Sequence, residues 1–600
     1  MELNDILKIG EICEVSGRMV KAGVYAEKNT EYLNYNGAVV KNISIGSYVL
    51  IRKGFSNIIG KVEGEYMKEE FSETPKVINK RSSISRIVGI GILGALEDDK
   101  FVHGVTNLPM IGNYVYVVTE EVISSIFSKN AKDKVTLGTL IGYEEYPFEV
   151  NVQDLMCSHI GIFGNTGSGK SNTLAKLYRE VVEKYKSSRN FISNAKFVII
   201  DFNGEYSKVF DNANIYELST RTRRRNENRY PISSEDIVDG EFWSIILEAT
   251  DKTQKPFIDR CIRKYKRLID GTDTYDREAL CGIIYNSNEK IVDCRLYLKE
   301  LFYLLDIKEK FLAIEENLMY NYKYKSFYVR QDAKDDRYGP TKGEIYRLAF
   351  GEEENQVFDF NELDEFEKFK FVLYWNYCEE IGKSFITKEH IGPLMARSSN
   401  KIDSLSKIFV VGKNEENKDR NVDVISLVGL RVDMRKIIPL IICKKLYTEK
   451  KASKKNSLDS SLHIIVDEAH NILSNTSIRE SAEWKDYRLE CFEEIIKEGR
   501  KFGTFLTISS QRPSDISDTI ISQLHNYFIH RLVNEEDLRK IYRTIAFSDK
   551  STNEMIPILP AGGCVFAGLA SSFPILARVS ILPESNQPQS ENVDIRRIWY

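Results

Sequence analysis

Eight consecutive residues of this chain have the types and the spacing that bind a phosphate group. Gly164 and Gly169 enclose four residues and are followed by Lys170 and Ser171, a spacing that turns successive backbone N–H groups toward one phosphate. The lysine would reach the β and γ phosphates of a nucleotide, and the serine hydroxyl would ligate Mg²⁺. The residues expected to bind the nucleotide are Gly164, Asn165, Thr166, Gly167, Ser168, Gly169, Lys170, Ser171 and Asn172.

The flanks of this loop predict a strand before it and a helix after it. Ile160 to Phe163 is a short apolar run. Apolar residues then recur at the helical spacing i, i+3, i+4, i+7, i+8 and i+11, which indicates one buried helical face. They are Leu174, Leu177, Tyr178, Val181, Val182 and Tyr185.

A second apolar run ends in a pair of carboxylates. Residues 196–200 are apolar after the first lysine, and Asp201 and Glu205 follow them. An apolar strand that is reached through a helix predicts a parallel sheet, which would place both acids on the same edge as the phosphate loop. We therefore expect them at the nucleotide site. The alternative is that Asp201 only caps the turn after its strand.

A third apolar run, residues 461–466, ends in Asp467 and Glu468. Such an ending is common for a strand, but beside a phosphate loop it predicts a catalytic pair. Asp467 would hold the Mg²⁺ shell and Glu468 would polarise the attacking water.

Three polar residues follow later in the chain and complete the predicted site. Gln511 and Arg512 come directly after the apolar strand 504–510, so we expect them at the catalytic edge. The glutamine would sense the γ phosphate or orient water. Arg512, or Arg500 before the same strand, would complete the site of a neighbouring subunit, and a plain surface ion pair is the alternative for each.

The composition is that of an ordinary globular protein. The chain has 600 residues, of which 42% are hydrophobic and 29% charged, and a net charge of −4. Contact with nucleic acid must therefore come from a local patch or a pore. The nine cysteines form no C-x-x-C pair, which is typical of a reducing cytoplasm. No apolar run approaches about 18 residues, so we expect a cytoplasmic protein without a membrane span.

The periodicities predict several domains. Short strand-like segments between glycines and asparagines indicate an all-β barrel, and helical stripes dominate the middle of the chain, around a polar loop at 321–344. The run Arg221 to Arg229 reads as a solvated loop, with a DNA contact as the alternative. The predicted domains are a barrel at 1–150, an ATPase core at 151–220 and 415–570, a helical insertion at 221–414 and a C-terminal tail at 571–600.

Together these motifs closely resemble the HerA branch of the HerA/FtsK ATPases. The resemblance rests on the phosphate loop and on four further segments. They are Asp201-Phe-Asn-Gly-Glu-Tyr206, Asp467-Glu-Ala-His470, Glu498-Gly-Arg-Lys-Phe-Gly503 and Ser510-Gln-Arg-Pro-Ser514. It implies a RecA-like α/β core with an N-terminal barrel, an inserted helical bundle and a C-terminal brace on the adjacent subunit.

The resemblance also implies an activity and partners. The expectation is a hexameric ring that uses ATP and Mg²⁺ to translocate double-stranded DNA, with a nuclease or a sirtuin-like effector docked at the barrel. The acidic balance and the long insertion are more similar to the bacterial anti-phage members than to the archaeal end-resection motors. A scaffold ring with slow turnover is the alternative. Unaided strand separation is less expected, because we identify no platform of interleaved aromatic and basic residues.

Overall fold

The computed structural model describes most of the chain and resolves it into two compact units. Unit 1 comprises Met1–Ala213, Tyr447–Ser477 and Leu489–Tyr600, and unit 2 comprises Asn214–Leu446 and Ile478–Arg488. The described residues are 5–35, 37–70, 83–97, 100–104, 107–127, 133–221, 228–330, 337–412, 420–453, 459–476, 482–544, 550–590 and 599. Most of the arginine run, at 222–227, and the end of the predicted tail lie outside them.

The strands are β1 (Lys8–Ser16), β2 (Met19–Val24), β3 (Tyr32–Tyr35), β4 (Ala38–Lys41), β5 (Tyr48–Lys53), β6 (Ser56–Glu70), β7 (Ser83–Glu97), β8 (Lys100–His103), β9 (Tyr114–Val117), β10 (Lys134–Leu140), β11 (Tyr143–Asn151), β12 (Ile160–Phe163), β13 (Ala195–Asp201), β14 (Asn214–Ser219), β15 (Tyr230–Ile232), β16 (Leu318–Asn321), β17 (Ser326–Val329), β18 (Arg337–Tyr338), β19 (Phe409–Val411), β20 (Val422–Gly429), β21 (Ser461–Val466), β22 (Thr504–Ser510), β23 (Asn526–Ile529), β24 (Gly563–Gly568) and β25 (Ile575–Val579).

The α-helices are α1 (Glu120–Phe127), α2 (Val152–Met156), α3 (Lys170–Tyr185), α4 (Arg189–Asn194), α5 (Ser234–Ile237), α6 (Gly240–Ile246), α7 (Gln254–Ile269), α8 (Arg277–Ser287), α9 (Ile291–Leu304), α10 (Lys308–Asn317), α11 (Lys342–Phe350), α12 (Glu365–Gly382), α13 (Lys388–Ile408), α14 (Met434–Ser453), α15 (His470–Leu473), α16 (Ala482–Glu498), α17 (Asp518–Ser522), α18 (Glu535–Thr544) and α19 (Lys550–Met555). None of these described helices is long and apolar enough to cross a membrane.

Six antiparallel strands at the start of unit 1 close into a barrel, which confirms the predicted all-β fold. Their order is β2-β1-β9-β5-β6-β7, and β2 pairs with β7 to close the ring. Closure removes the exposed sheet edges that would otherwise template aggregation. β1 and β2 form a hairpin, in which the chain reverses at Gly17 with φ +60°.

The core of unit 1 is a RecA-like α/β sheet. Nine of its strands lie in the order β11-β10-β25-β24-β23-β12-β22-β21-β13. The five from β23 to β13 run parallel. Their side chains are almost all buried, as expected for parallel strands covered on both faces. On one face, His463 stacks between Phe197 and Phe505, with ring centroids 4.7 and 5.3 Å away.

Two predicted domain boundaries differ from the sheet pattern. The barrel was predicted to extend to residue 150, but β10 and β11 pair with each other and β10 pairs with β25 in the ATPase sheet. The tail was predicted to begin at residue 571, but β25 is an interior strand of that sheet. Both segments alternate like barrel strands, so their sequence could not reveal which sheet they join.

Unit 2 is mainly helical, in agreement with the predicted helical insertion. α12 is buried on nearly all sides, and its Phe369 ring stacks on Trp243 with centroids 3.6 Å apart. β14 and β20 form a parallel pair. The predicted polar loop at 321–344 is wrong in its first part, because β16, β17 and β18 form an antiparallel sheet there.

Candidate nucleotide site

The phosphate loop connects β12 to α3 and is closely backed by unit 1. A Cβ atom on Gly164 would lie 2.6 Å from the Cβ of His530, and one on Gly169 would lie 2.9 Å from the Cα of Gly562. Gly169 also has φ +105°, and Gly167, with φ +74°, has open space beside it. The glycines therefore permit close packing behind the loop and leave a cradle in front of it.

Parallel pairing brings the predicted site residues to one edge of the sheet. β12, β13, β21 and β22 all end on this edge, because each is parallel to its neighbour among them. The Lys170 ammonium Nζ lies 3.1 Å from Glu468 Oε1 and 3.5 Å from Asp467 Oδ1. The loop lysine and the acid pair, 297 and 298 residues apart, thus form one buried cluster.

Opposing effects set the charge of this cluster. Burial would lower the pKa of Lys170, but the carboxylates of Asp467 and Glu468 outweigh it and raise that pKa above its ordinary value. The lysine is therefore a full cation at neutral pH, although its side chain is only 4% exposed. It balances one of the two carboxylate charges, and such pairing is what a buried charge requires.

Glu468 has an unusual backbone conformation and contacts Lys170, Gln511 and His470. Its φ is +46°, a left-handed geometry that costs on the order of 1–3 kcal/mol for such a residue. Gln511 Nε2 donates to Glu468 Oε1, and the hydroxyl of Thr166 donates to Gln511 Oε1. His470 Nδ1 lies 3.4 Å from the second oxygen, Oε2. The loop, the glutamine and the glutamate therefore form one connected network.

Tyr206 is a site residue that the sequence reasoning missed. Its ring is fully buried, and its hydroxyl donates to Asp467 Oδ2 over 3.1 Å. The tyrosine fixes the carboxylate that was predicted to hold the metal shell. A polar tip on an aromatic residue directly after Glu205 was the available signal, since a buried tyrosine hydroxyl needs a partner.

Two predicted nucleotide ligands have hydrogen-bond partners within the chain. Asp201 Oδ1 accepts three backbone N–H bonds, from residues 203, 204 and 205, and its Oδ2 accepts a fourth from Tyr206. It therefore caps its turn, which was the alternative reading. The Asn172 side chain donates to the carbonyl of Ser580 and accepts from the N–H of Leu582, so it anchors the segment after β25.

Glu205 is a candidate for binding a cation. Burial, together with the charge of Asp467, raises the pKa of its carboxyl. Its Oε2 is buried without a hydrogen-bond partner among the described residues. The Ser171 hydroxyl lies within hydrogen-bonding reach of the same carboxylate. A divalent cation beside these oxygens would relieve the repulsion between the acids.

The oxygen donors fit Mg²⁺, which binds through one or two carboxylates plus substrate phosphates rather than in an all-protein cage. No group of three or more metal-ligating side chains occurs among the described residues. Ser171 and Asp467 are the candidates to hold the ion. The open cradle at Gly167 leaves room for the phosphates that would complete its shell.

The two arginines lie at opposite ends of β22. Arg512 follows the strand on the phosphate loop edge, and its side chain is 69% exposed with only a 4.0 Å approach to Asp515. Arg500 precedes the strand at the other edge, where its Nη1 donates to His525 Nε2 over 2.9 Å. Only Arg512 therefore stands near the loop of its own chain.

This chain is similar to several known proteins. A model of the HerA helicase central domain matches residues 135–374. The DNA double-strand break repair helicase HerA of Sulfurisphaera tokodaii is 25% identical over 78% of this chain and 73% of its own length. The protein of the same name from Pyrococcus furiosus is 22% identical over 82% of this chain and 77% of its own. VirB4 of Thermoanaerobacter pseudethanolicus aligns with a TM-score of 0.42 at 12% identity, covering 76% of this chain and 99% of that one.

Proposed function

We propose that this chain belongs to the HerA helicase family, whose central-domain model matches residues 135–374, and that it works as a hexameric ring that translocates double-stranded DNA. The chain is an ATPase of the HerA/FtsK superfamily. The observation that carries the proposal is the buried cluster of Lys170, Asp467 and Glu468 at the phosphate loop. This cluster brings together the lysine expected to bind the phosphates, the aspartate expected to hold Mg²⁺ and the glutamate expected to activate water.

Binding of ATP exchanges the partners of Lys170. Its ammonium now faces two carboxylates, and the phosphates of a nucleotide in the loop would compete for it. Ser171 and Asp467 would hold Mg²⁺, which would supply positive charge to the phosphate oxygens. Glu468 is then released from the lysine, and its free carboxylate becomes available to a water molecule.

Hydrolysis follows from the position of the released Glu468. As a general base it would take the proton of the attacking water. Gln511 donates to this carboxylate and contacts the loop through Thr166, so it would transmit the occupancy of the loop to the base. An arginine from the next subunit would complete the charge stabilisation.

The barrel is the proposed docking site for an effector, either a nuclease or a sirtuin-like enzyme. Phe55 at the β5–β6 turn and the pair Met110 and Ile111 are exposed. Lys53 Nζ donates to the carbonyl of Leu108 over 2.8 Å, which ties the two loops together. Exposed apolar residues on linked loops support a protein contact.

The biological setting is proposed as anti-phage defence in the cytoplasm. A second candidate, DNA end processing in repair, is favoured by the names of the relatives from S. tokodaii and P. furiosus. A scaffold ring, in which turnover is incidental, is the third.

ATP hydrolysis measured with and without double-stranded DNA tests the motor. We expect DNA to stimulate turnover and Lys170→Ala to abolish it, because the loop loses its cation. Lys176→Ala is the matched control: it lies on the same helix but pairs with Glu180 and not with Asp467 or Glu468. Turnover that is unaffected by DNA and appears only with an effector would favour the scaffold.

A further inference from the structure

The small sheet β16–β18 in unit 2 has two different faces. Pairing places Tyr320 opposite Phe327, and Tyr328 opposite both Met319 and Tyr338. Since side chains alternate along a strand, Tyr320 and Phe327 lie on one face, and Tyr328 and Tyr338 on the other. We call these the inner face and the outer face.

The inner face anchors the sheet to the helices of unit 2. Phe327 is buried, and its ring centroid lies 5.1 Å from that of Tyr320. Both residues line a cavity of about 220 Å³ together with Leu298 of α9 and Phe311 of α10. The helices therefore pack against the inner face of the sheet and leave its outer face accessible.

The outer face presents a cluster of tyrosine rings. The ring of Tyr338 lies 5.3 Å from that of Tyr324 and 5.4 Å from that of Tyr328. Tyr324 is 62% exposed and Tyr338 is 44% exposed. Asn321 Nδ2 donates to the Tyr338 hydroxyl over 3.1 Å, which fixes this ring at the centre of the cluster. Three rings with accessible surface are thus preorganised side by side.

Three cations lie in the same segment as these rings. Residues 318–330 contain Lys323, Lys325 and Arg330 and no acidic residue, in a chain whose net charge is −4. All three cations are exposed, and none forms an ion pair within the part of the chain that the structure describes. Lys323 Nζ lies 5.7 Å from the ring centroid of Tyr324. The aspartates at 332, 335 and 336 fall outside the described residues.

We propose that the outer face of β16–β18 binds single-stranded nucleic acid. Exposed rings offer stacking to bases whose faces are free, and the neighbouring cations suit the phosphates that connect them. A duplex cannot use the rings in this way, because its bases already stack on each other. The sequence reasoning found no platform of aromatic and basic residues, yet one lies in the segment that it read as a polar loop. This site does not depend on the proposed motor, whose pore would take duplex DNA.

Fluorescence anisotropy with labelled oligothymidylate, oligouridylate and a DNA duplex tests the proposal on the full chain. We expect Tyr324→Ala combined with Tyr338→Ala to weaken single-strand binding at least about twenty-fivefold, since each stacking ring alone contributes about fivefold or more. Tyr303→Ala is the matched control, because Tyr303 is 47% exposed and has a lysine 5.6 Å from its ring centroid, but it lies on α9.

Two further variants separate stacking from charge and from misfolding. Tyr324→Trp retains a stacking ring and should bind as wild type, whereas Lys323→Glu with Lys325→Glu should weaken binding and flatten its salt dependence. ATP hydrolysis with duplex DNA, measured on the same preparations, should be unchanged, which separates this proposal from the motor. Wild-type single-strand affinity in the double alanine variant overturns the proposal. Loss of effector binding with intact single-strand binding would assign the face to a protein instead.

Discussion

Glu468 combines a strained backbone with a carboxylate that contacts three other side chains of the nucleotide site. Strain at a residue that contacts Lys170, Gln511 and His470 indicates that the surrounding contacts, rather than its own preference, determine its position. Glu468→Gln should therefore retain ATP binding but lose hydrolysis by about 10²–10⁴-fold, because an amide cannot accept the proton of water. Single-turnover hydrolysis and nucleotide affinity are the measurements.

Glu180→Gln is the control for this substitution, since Glu180 lies on the surface of α3. A variant at Glu468 whose nucleotide affinity collapses while each bound ATP is still hydrolysed at the normal rate would give this glutamate a structural role.

Asp201 illustrates the same distinction between a catalytic and a structural role. Its residue type and position after a strand were predicted from sequence, but the four backbone bonds that occupy it depend on a turn that only the structure reveals.

At the scale of elements, three buried histidines make the sheet sensitive to acid. Burial lowers the pKa of His159 and His463 to about 3 and that of His530 to about 4. Each is neutral when folded but takes up a proton in the unfolded chain below its ordinary pKa of about 6.5. Above that pH the three histidines therefore do not reduce the free energy of unfolding. Below it, the free energy of unfolding falls by about 1.4 kcal/mol per pH unit for each histidine.

His463→Phe should reduce this acid sensitivity, because the ring between Phe197 and Phe505 would remain without its proton site. Unfolding midpoints compared between wild type and variant from pH 7.5 to pH 5 measure the difference. Asp201 and Glu205, whose pKa values are raised by burial, contribute in the opposite direction, but both proteins share them. Parallel curves for the two proteins would show that His463 is not the origin.

The central strands and α3 could be predicted because apolar runs and helical stripes report burial directly. The positions of β10, β11 and β25 could not, since an alternating strand identifies its faces but not its neighbours. The sheet β16–β18 was missed for a different reason. Its tyrosines and lysines are polar enough to suggest a loop, and only the cross-strand pairing of Tyr328 with Tyr338 makes them one surface.

At the scale of the whole molecule, we expect composite sites between subunits. Arg500→Ala or Arg512→Ala should bind ATP but hydrolyse it slowly, since such an arginine is worth about 10³–10⁵ in rate. Mixing the deficient variant with Lys170→Ala should restore activity wherever an intact loop meets an intact arginine. Arg539→Ala, whose partner is Glu535 one turn away on α18, is the control. Mixed rings that exchange subunits without recovery would contradict a role in trans.

Removal of the barrel should leave nucleotide binding intact if the truncated chain keeps every strand of the ATPase sheet. A chain that begins at Asp133 keeps β10 and β11, together with the ion pair between Asp133 and Lys184 of α3. It should bind ATP, as measured by nucleotide titration, but not the effector. A cut at residue 149 removes β10 and should destabilise the core. Effector binding by the shorter chain would place the docking site elsewhere.

The pairing of β10 with β25 also constrains how the protein is made. Gly138 and Val579 are direct neighbours in the sheet, although about 440 residues separate them. At a synthesis rate of about 5–20 residues per second, the first of these strands waits roughly 20–90 s for its partner to leave the ribosome. During that interval β10 has an open edge of the kind that recruits other chains. We therefore expect production of this protein to depend on factors that cover the open edge of β10 during synthesis. A chain that stops short of residue 575 lacks β25, the strand that would cover this edge.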